Sequence, residues 1–227
     1  YGADARVINH WAVQPPTAVT LRDLCEIGLD RNLRREHGVF LHTELRIRLS
    51  QRILELQTLP YNLAERDGIR DVIRWYTEFV MLLEDSPCPV SDEQDDEFTQ
   101  IVSRIFEEHS EVIQAIAFGV QDLMAELGSE YQAIQPQVDA VLRRFFMARI
   151  GCRFLLQHHI ESFRSRKGHS GILQLDCSPA ETARKAAYDS ISLCRAHLGQ
   201  SPQIIVTETI PGTFTYVPMH LNYMLTE

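Results

Sequence analysis

The chain has 227 residues, a net charge of −9, 44% apolar and 23% charged residues. That balance suits an ordinary folded protein with a buried core and excludes phosphate-driven binding of nucleic acid as a main activity. No apolar run approaches the roughly 20 residues of a membrane-spanning helix, so no membrane span is expected.

With Tyr rather than Met at position 1 and no apolar leader, the expectation is a mature fragment, and the length suits one full domain plus part of a second. The five cysteines, Cys25, Cys88, Cys152, Cys177 and Cys194, are odd in number and widely spaced, with no Cys-x-x-Cys pair. This predicts reduced thiols rather than a disulfide framework, in a cytosolic or matrix-like compartment. His158 and His159 are adjacent, and neighbouring helix positions diverge by about 100°, so no metal site is expected there.

Helical periodicity dominates the first 165 residues. Pro15-Pro16 fixes an extended lead-in, and the Thr17-to-Thr20 region caps a short helix over 21–29. Leu41, Leu45, Leu49, Ile53 and Leu56 recur every three or four residues until Leu59-Pro60 closes the helix. Ile69, Ile73, Tyr76, Val80 and Leu83 mark a third, broken by Ser86-Pro87-Cys88-Pro89. Phe98, Ile101, Ile105, His109, Val112, Ile116, Val120, Leu123 and Leu127 form one stripe, predicting a single helix of about 30 residues that ends at Gly128. A partner helix runs from about Pro136, with Val138, Val141, Phe145, Ala148, Cys152, Leu155 and His159 on one face. Four long amphipathic helices joined by short breaks predict a four-helix bundle over 1–165 within a mainly α chain.

The texture then changes. Residues 164–171 are polar and read as a turn or linker, 172–175 as a short strand, and Ser178-Pro179 as the start of a helix bearing Ala183, Ala187, Ile191, Cys194 and Leu198. Two β-rich runs, 204–207 and 214–217, flank a Pro211-Gly212 turn. These elements predict the start of a second, α/β domain over 166–227, with too few strands to be complete.

One constellation points to binding. Arg149 and Arg153 are i and i+4, so both guanidinium groups emerge on one side of their helix. His109 sits in the apolar stripe of the preceding helix, where an unpaired polar ring is costly. If these helices are antiparallel neighbours, the three groups can converge on a small anion, and paired arginines suit a carboxylate. The alternative is that both arginines pair with internal carboxylates such as Glu107 or Glu108 and only hold the helices together.

Several segments carry a family resemblance: Glu44-Leu-Arg-Ile-Arg48-Leu with Leu59-Pro60, Trp75-Tyr76, His109-Ser-Glu-Val-Ile with Gly119-Val, Phe145-Phe-Met-Ala-Arg149-Ile, and Val217-Pro218-Met219-His220-Leu221. In order and spacing the chain resembles the N-terminal portion of the mitochondrial α-ketoacid dehydrogenase kinases. The resemblance implies a four-helix regulatory domain followed by a histidine-kinase-like (GHKL) ATP-binding domain, of which 166–227 would be the incomplete beginning. It implies an ATP- and Mg²⁺-dependent protein-serine kinase of the mitochondrial matrix that phosphorylates a serine of a dehydrogenase α-subunit. It also implies docking to the lipoyl domain of the acyltransferase core, a homodimer when complete, and an α-ketoacid effector bound by His109, Arg149 and Arg153.

Glu227 matches the family's general base, and Tyr223, four residues before it, occupies a neighbouring, modulatory position. Pyruvate-type enzymes have His where Tyr223 stands. Tyr223, Met219, Arg149-Ile-Gly-Cys-Arg153 and His158-His159 lean to the branched-chain enzyme. Phe106 departs from the pyruvate enzymes, which carry Arg there, so ligand preference is expected to differ. The Mg²⁺-holding Asn and the Asp-x-Gly-x-Gly segment of the family do not occur in these residues, so Glu227 also reads as an exposed carboxylate with no role in this stretch alone. A non-catalytic module that binds ketoacid and lipoyl domains is the second reading; a bacterial-style histidine kinase, suggested only by His220, is a distant third.

Overall fold

Local capping sets where the helices begin in the computed structural model, which describes residues 2–164 and 166–227. Thr20 accepts from the Asp23 N–H while the Asp23 carboxylate accepts from the Thr20 N–H, a reciprocal box that starts α2 (Leu21–Ile27). Asp30 accepts from the Asn32 N–H to start α3 (Arg31–Gln57), ten residues ahead of the first leucine of the predicted stripe. Another box, Ser91 with Gln94, starts α5 (Asp92–Glu108), and α4 (Asp67–Asp85) lies between. Leu41, Leu45, Leu49, Ile53 and Leu56 of α3 are fully buried, each contributing about 1.5–3 kcal/mol. They pack against α4 and against α7 (Tyr131–Arg164).

An N-terminal helix, α1 (Gly2–Ala12), was not legible in the sequence. It packs on α3 and α4 through Ile8. Trp11 pins its end by donating from Nε1 to Glu84 at 2.9 Å, with the Arg46 guanidinium 4.2 Å above the indole.

The single helix predicted over 98–127 is in fact two. α5 stops at Glu108, residues His109–Glu111 form a 3₁₀ turn, and α6 (Val112–Leu127) follows. The stripe is continuous but its neighbours are not: α5 packs on α7, whereas α6 packs on α4. Gly68 and Gly119 let α4 and α6 approach closely, since a Cβ on Gly68 would fall 2.0 Å from the Ala115 carbonyl oxygen. The last long helix also differs from expectation. It begins at Tyr131, with Pro136 inside its first turns, where the missing N–H removes a single bond near the helix end.

Beyond α7 lie β1 (His169–Ser170), β2 (Leu173–Cys177), α8 (Pro179–Leu198), β3 (Phe214–Tyr216) and α9 (Pro218–Thr226). The strands form an antiparallel sheet in the order β1-β2-β3. The chain is thus mainly α with one small sheet. Part of the polar stretch expected to be a linker is strand β1; Ser165, in that stretch, and Tyr1 lie outside the described residues. The strand expected at 204–207 is absent. Residues 204–207 join neither outer edge of the sheet, and Ile205 is left 76% exposed. Ser170 is fully buried, and its hydroxyl reaches the carbonyls of Leu24 (3.3 Å) and Cys25 (2.6 Å), docking the hairpin on the end of α2.

Candidate functional site

The break between α5 and α6 places His109 inside the helical core, 2% exposed. Its ring lies 4.6 Å from Tyr76 and 4.6 Å from Phe79, and Tyr76 stacks on Phe145. Arg149 and Arg153, one turn apart on α7, reach the same break. Arg149, 6% exposed, donates from Nη2 to the His109 carbonyl at 2.5 Å. Arg153 donates from Nη1 to the Phe106 carbonyl at 2.9 Å and lays its guanidinium 3.9 Å above the Phe106 ring.

Among the described residues neither arginine pairs with a carboxylate; Glu108 is taken by Arg104 at 2.7 Å. The carboxylate-paired alternative is therefore not what the structure holds. Two buried polar atoms here, His109 Nε2 and Arg149 Nε, have no hydrogen-bond partner among the described residues.

Burial, and then the two arginines, push the His109 pKa down to about 3, so the imidazole is neutral. Burial pushes the Tyr76 phenol up and the Cys152 thiol up to about 11, so both stay protonated. Burial, and then Arg149, lower the Arg153 pKa. The arrangement is two guanidinium groups and a neutral imidazole in an aromatic surround, with donors left over. A single carboxylate would complement it.

A second buried polar group was missed in the sequence. His37 of α3 lies 5.8 Å from the His158 ring and 5.7 Å from the His159 ring, which diverge on α7. His159 Nε2 is 3.0 Å from Thr99 Oγ1 and 3.8 Å from Asp95, itself paired to Arg34 at 2.9 Å. Burial is the leading cause that lowers all three imidazoles, His158 to about 4 and His159 to about 3. Adjacent histidines were a legible signal; their meeting with His37, more than 120 residues away, was not. No group of three or more His, Cys, Asp or Glu among the described residues is arranged to hold a metal ion.

Tyr223 and Glu227 stand apart from this core, on and just after α9, which packs on α8 and β2. Both are exposed, and the Glu227 N–H donates to the Tyr223 carbonyl at 3.2 Å. One carboxylate on an exposed helix end is no fit for Mg²⁺–ATP, which needs several oxygen donors and a phosphate cradle.

The family model described as mitochondrial branched-chain alpha-ketoacid dehydrogenase kinase matches residues 18–183. The chain belongs to the mitochondrial α-ketoacid dehydrogenase kinase family. It is 34% identical to the mitochondrial pyruvate dehydrogenase (acetyl-transferring) kinase of Arabidopsis thaliana, over 97% of this chain and 60% of that protein. It is 27% identical to the human kinase isozyme 3 (97% and 57%) and 28% identical to the Rattus norvegicus isozyme 1 (97% and 54%). The chain therefore spans between 54% and 60% of the length of these curated relatives.

Proposed function

We propose that this chain is the ketoacid-sensing and docking portion of an ATP-dependent protein-serine kinase that phosphorylates and inactivates a mitochondrial α-ketoacid dehydrogenase complex. The observation that carries the sensing role is the buried His109–Arg149–Arg153 group, two cations with no carboxylate opposite them and two polar atoms unpartnered among the described residues. An α-ketoacid supplies the missing carboxylate at one end and an apolar tail for the rings of Tyr76, Phe79 and Phe145 at the other.

In this reading residues 1–165 act as a four-helix regulatory bundle and 166–227 open a GHKL-type ATP-binding domain. Glu227 is the general base that orients and deprotonates the substrate serine, with Tyr223 modulating it. ATP, which would supply the transferred phosphoryl group, and Mg²⁺, which would neutralise its charge, are held mostly by residues outside this stretch. The partners are the lipoyl domain of the acyltransferase core, the dehydrogenase α-subunit and a second copy in a homodimer; the compartment is the mitochondrial matrix.

The branched-chain complex is the favoured target, supported by the name of the matching family and by Tyr223. A pyruvate target is the second reading, favoured by the names of the relatives. Calorimetry with a branched-chain α-ketoacid and with Mg²⁺–ATP tests both halves, on this chain and on the longest chain its gene encodes. Ketoacid binding to both, nucleotide binding only to the longer, and phosphate transfer from the longer to a branched-chain dehydrogenase α-subunit are expected. Absence of nucleotide binding to either would leave a non-catalytic module, and transfer only to the pyruvate enzyme would decide for the second target.

A further inference from the structure

α1 does not lie flush on the helices it covers. Between it, the end of α3, the 3₁₀ turn Leu63–Glu65 and one side of α4 runs an open groove of about 1140 Å³, above the roughly 300–1,000 Å³ usual for a small-molecule site. Along α4 its rim runs from Asp67 to Glu78, about 16 Å of helix axis, which matches about five residues of extended chain.

The floor of the groove is apolar. Ile8, Leu54 and Ile73 line it, the first buried and the other two half-buried against the core. The rim is acidic, with Asp4, Glu65, Asp67, Asp71 and Glu78 against Arg70 and Arg74. Arg74 is paired with Asp71 at 2.8 Å, and Glu78 has Arg104 nearby, whereas Asp4, Glu65 and Asp67 form no ion pair among the described residues. The sign of the rim selects among partners. Nucleic acid and anionic lipid surfaces are repelled, and a small cation makes no use of the floor. A second copy of the chain would bring a net charge of −9 against it.

We propose that the groove between α1 and α4 docks an extended, basic segment of a partner protein. Apolar side chains at alternate positions enter the floor, and the arginine or lysine side chains between them reach the rim carboxylates with their stems over the apolar edge. None of the residues lining the groove belongs to the His109, Arg149 and Arg153 group, so this docking does not depend on the ketoacid reading.

Fluorescence anisotropy with a fluorescein-labelled peptide of three Arg-Leu repeats tests it on the unaltered protein and on two variants of equal net charge change. E65K/E78K reverses exposed rim carboxylates, and E97K/E130K reverses exposed carboxylates away from the groove. The unaltered protein is expected to bind the peptide, with binding weakened about tenfold or more by E65K/E78K and less than about twofold by E97K/E130K. A peptide with serine in place of leucine is expected to bind severalfold more weakly, because it leaves the floor uncovered. Failure of the unaltered protein to bind overturns the proposal, as does equal binding of the serine peptide. Equal weakening by both variants also overturns it, since attraction to the net charge alone would then explain the binding. Self-association of the unaltered protein in sedimentation that E65K/E78K abolishes would give the groove to a second copy instead. If circular dichroism shows that E65K/E78K does not fold, amide exchange on the unaltered protein decides: slower exchange over 67–78 with the peptide is expected, and unchanged exchange overturns the proposal.

Discussion

A guanidinium taken out of water without a carboxylate opposite it is a liability to the fold, and Arg149 is one. Replacing it with an apolar side chain of similar length removes the buried charge but leaves the His109 carbonyl short of a donor. Arg149→Met is therefore expected to be as stable as the unaltered chain or up to ~2 kcal/mol more stable, read from urea midpoints, while losing ketoacid binding in calorimetry. A loss of 3 kcal/mol or more would mean that the arginine is a structural tie instead.

The buried histidines make a second residue-level prediction. His109, His158 and His159 have folded pKa values depressed to about 3, 4 and 3 by burial, against about 6.5 when unfolded. The unfolded chain binds these protons first, so their contribution is fully present above pH 6.5 and is lost as pH falls from there toward 4. Each adds a slope of up to ~1.4 kcal/mol per pH unit in that window. A urea midpoint that stayed flat between pH 6.5 and 4.5 would contradict this.

At the scale of elements, helix contacts explain what periodicity alone could not. The stripe from Phe98 to Leu127 has one period, so the sequence read as one helix; two different neighbours require the break at His109. The α4–α6 contact depends on backbone that cannot give way. Gly68→Ala sets a Cβ against the Ala115 carbonyl and is expected to cost about 1–3 kcal/mol. Gly119→Ala meets the Ile69 side chain at 3.0 Å, which can shift, and is expected to cost less. Thermal unfolding of the two variants would reverse this order if the helices slide apart easily.

For the whole molecule, the small sheet and the helices are joined through Ser170. Its hydroxyl serves the last carbonyls of α2, and Ser170→Ala leaves the part-buried Cys25 carbonyl short of a donor, while Leu24 keeps the Gly28 N–H. The expected loss is about 1–3 kcal/mol, with faster amide exchange across 166–177. Unchanged exchange there would show that apolar contacts alone dock the hairpin. The last segments are less well covered: no residue of α9 is buried, and Ile205, Ile210 and Tyr223 are largely exposed. Exchange protection beyond residue 200 is expected to be low, and strong protection would contradict it.

By itself the sequence determined the local and repeating features. Apolar residues every three or four positions mark the buried faces of α3 and α4, and Ser178-Pro179 marks the start of α8, because capping and amphipathicity act over one turn of chain. Arg149 and Arg153 were legible as a pair for the same reason. Only the tertiary structure decided that they hold carbonyls at the end of α5 rather than Glu107 or Glu108, that His37 meets His158 and His159, and that 204–207 stays off the sheet. Each of these depends on which distant segments meet, and packing between helices, unlike their periodicity, leaves no fixed spacing in the chain.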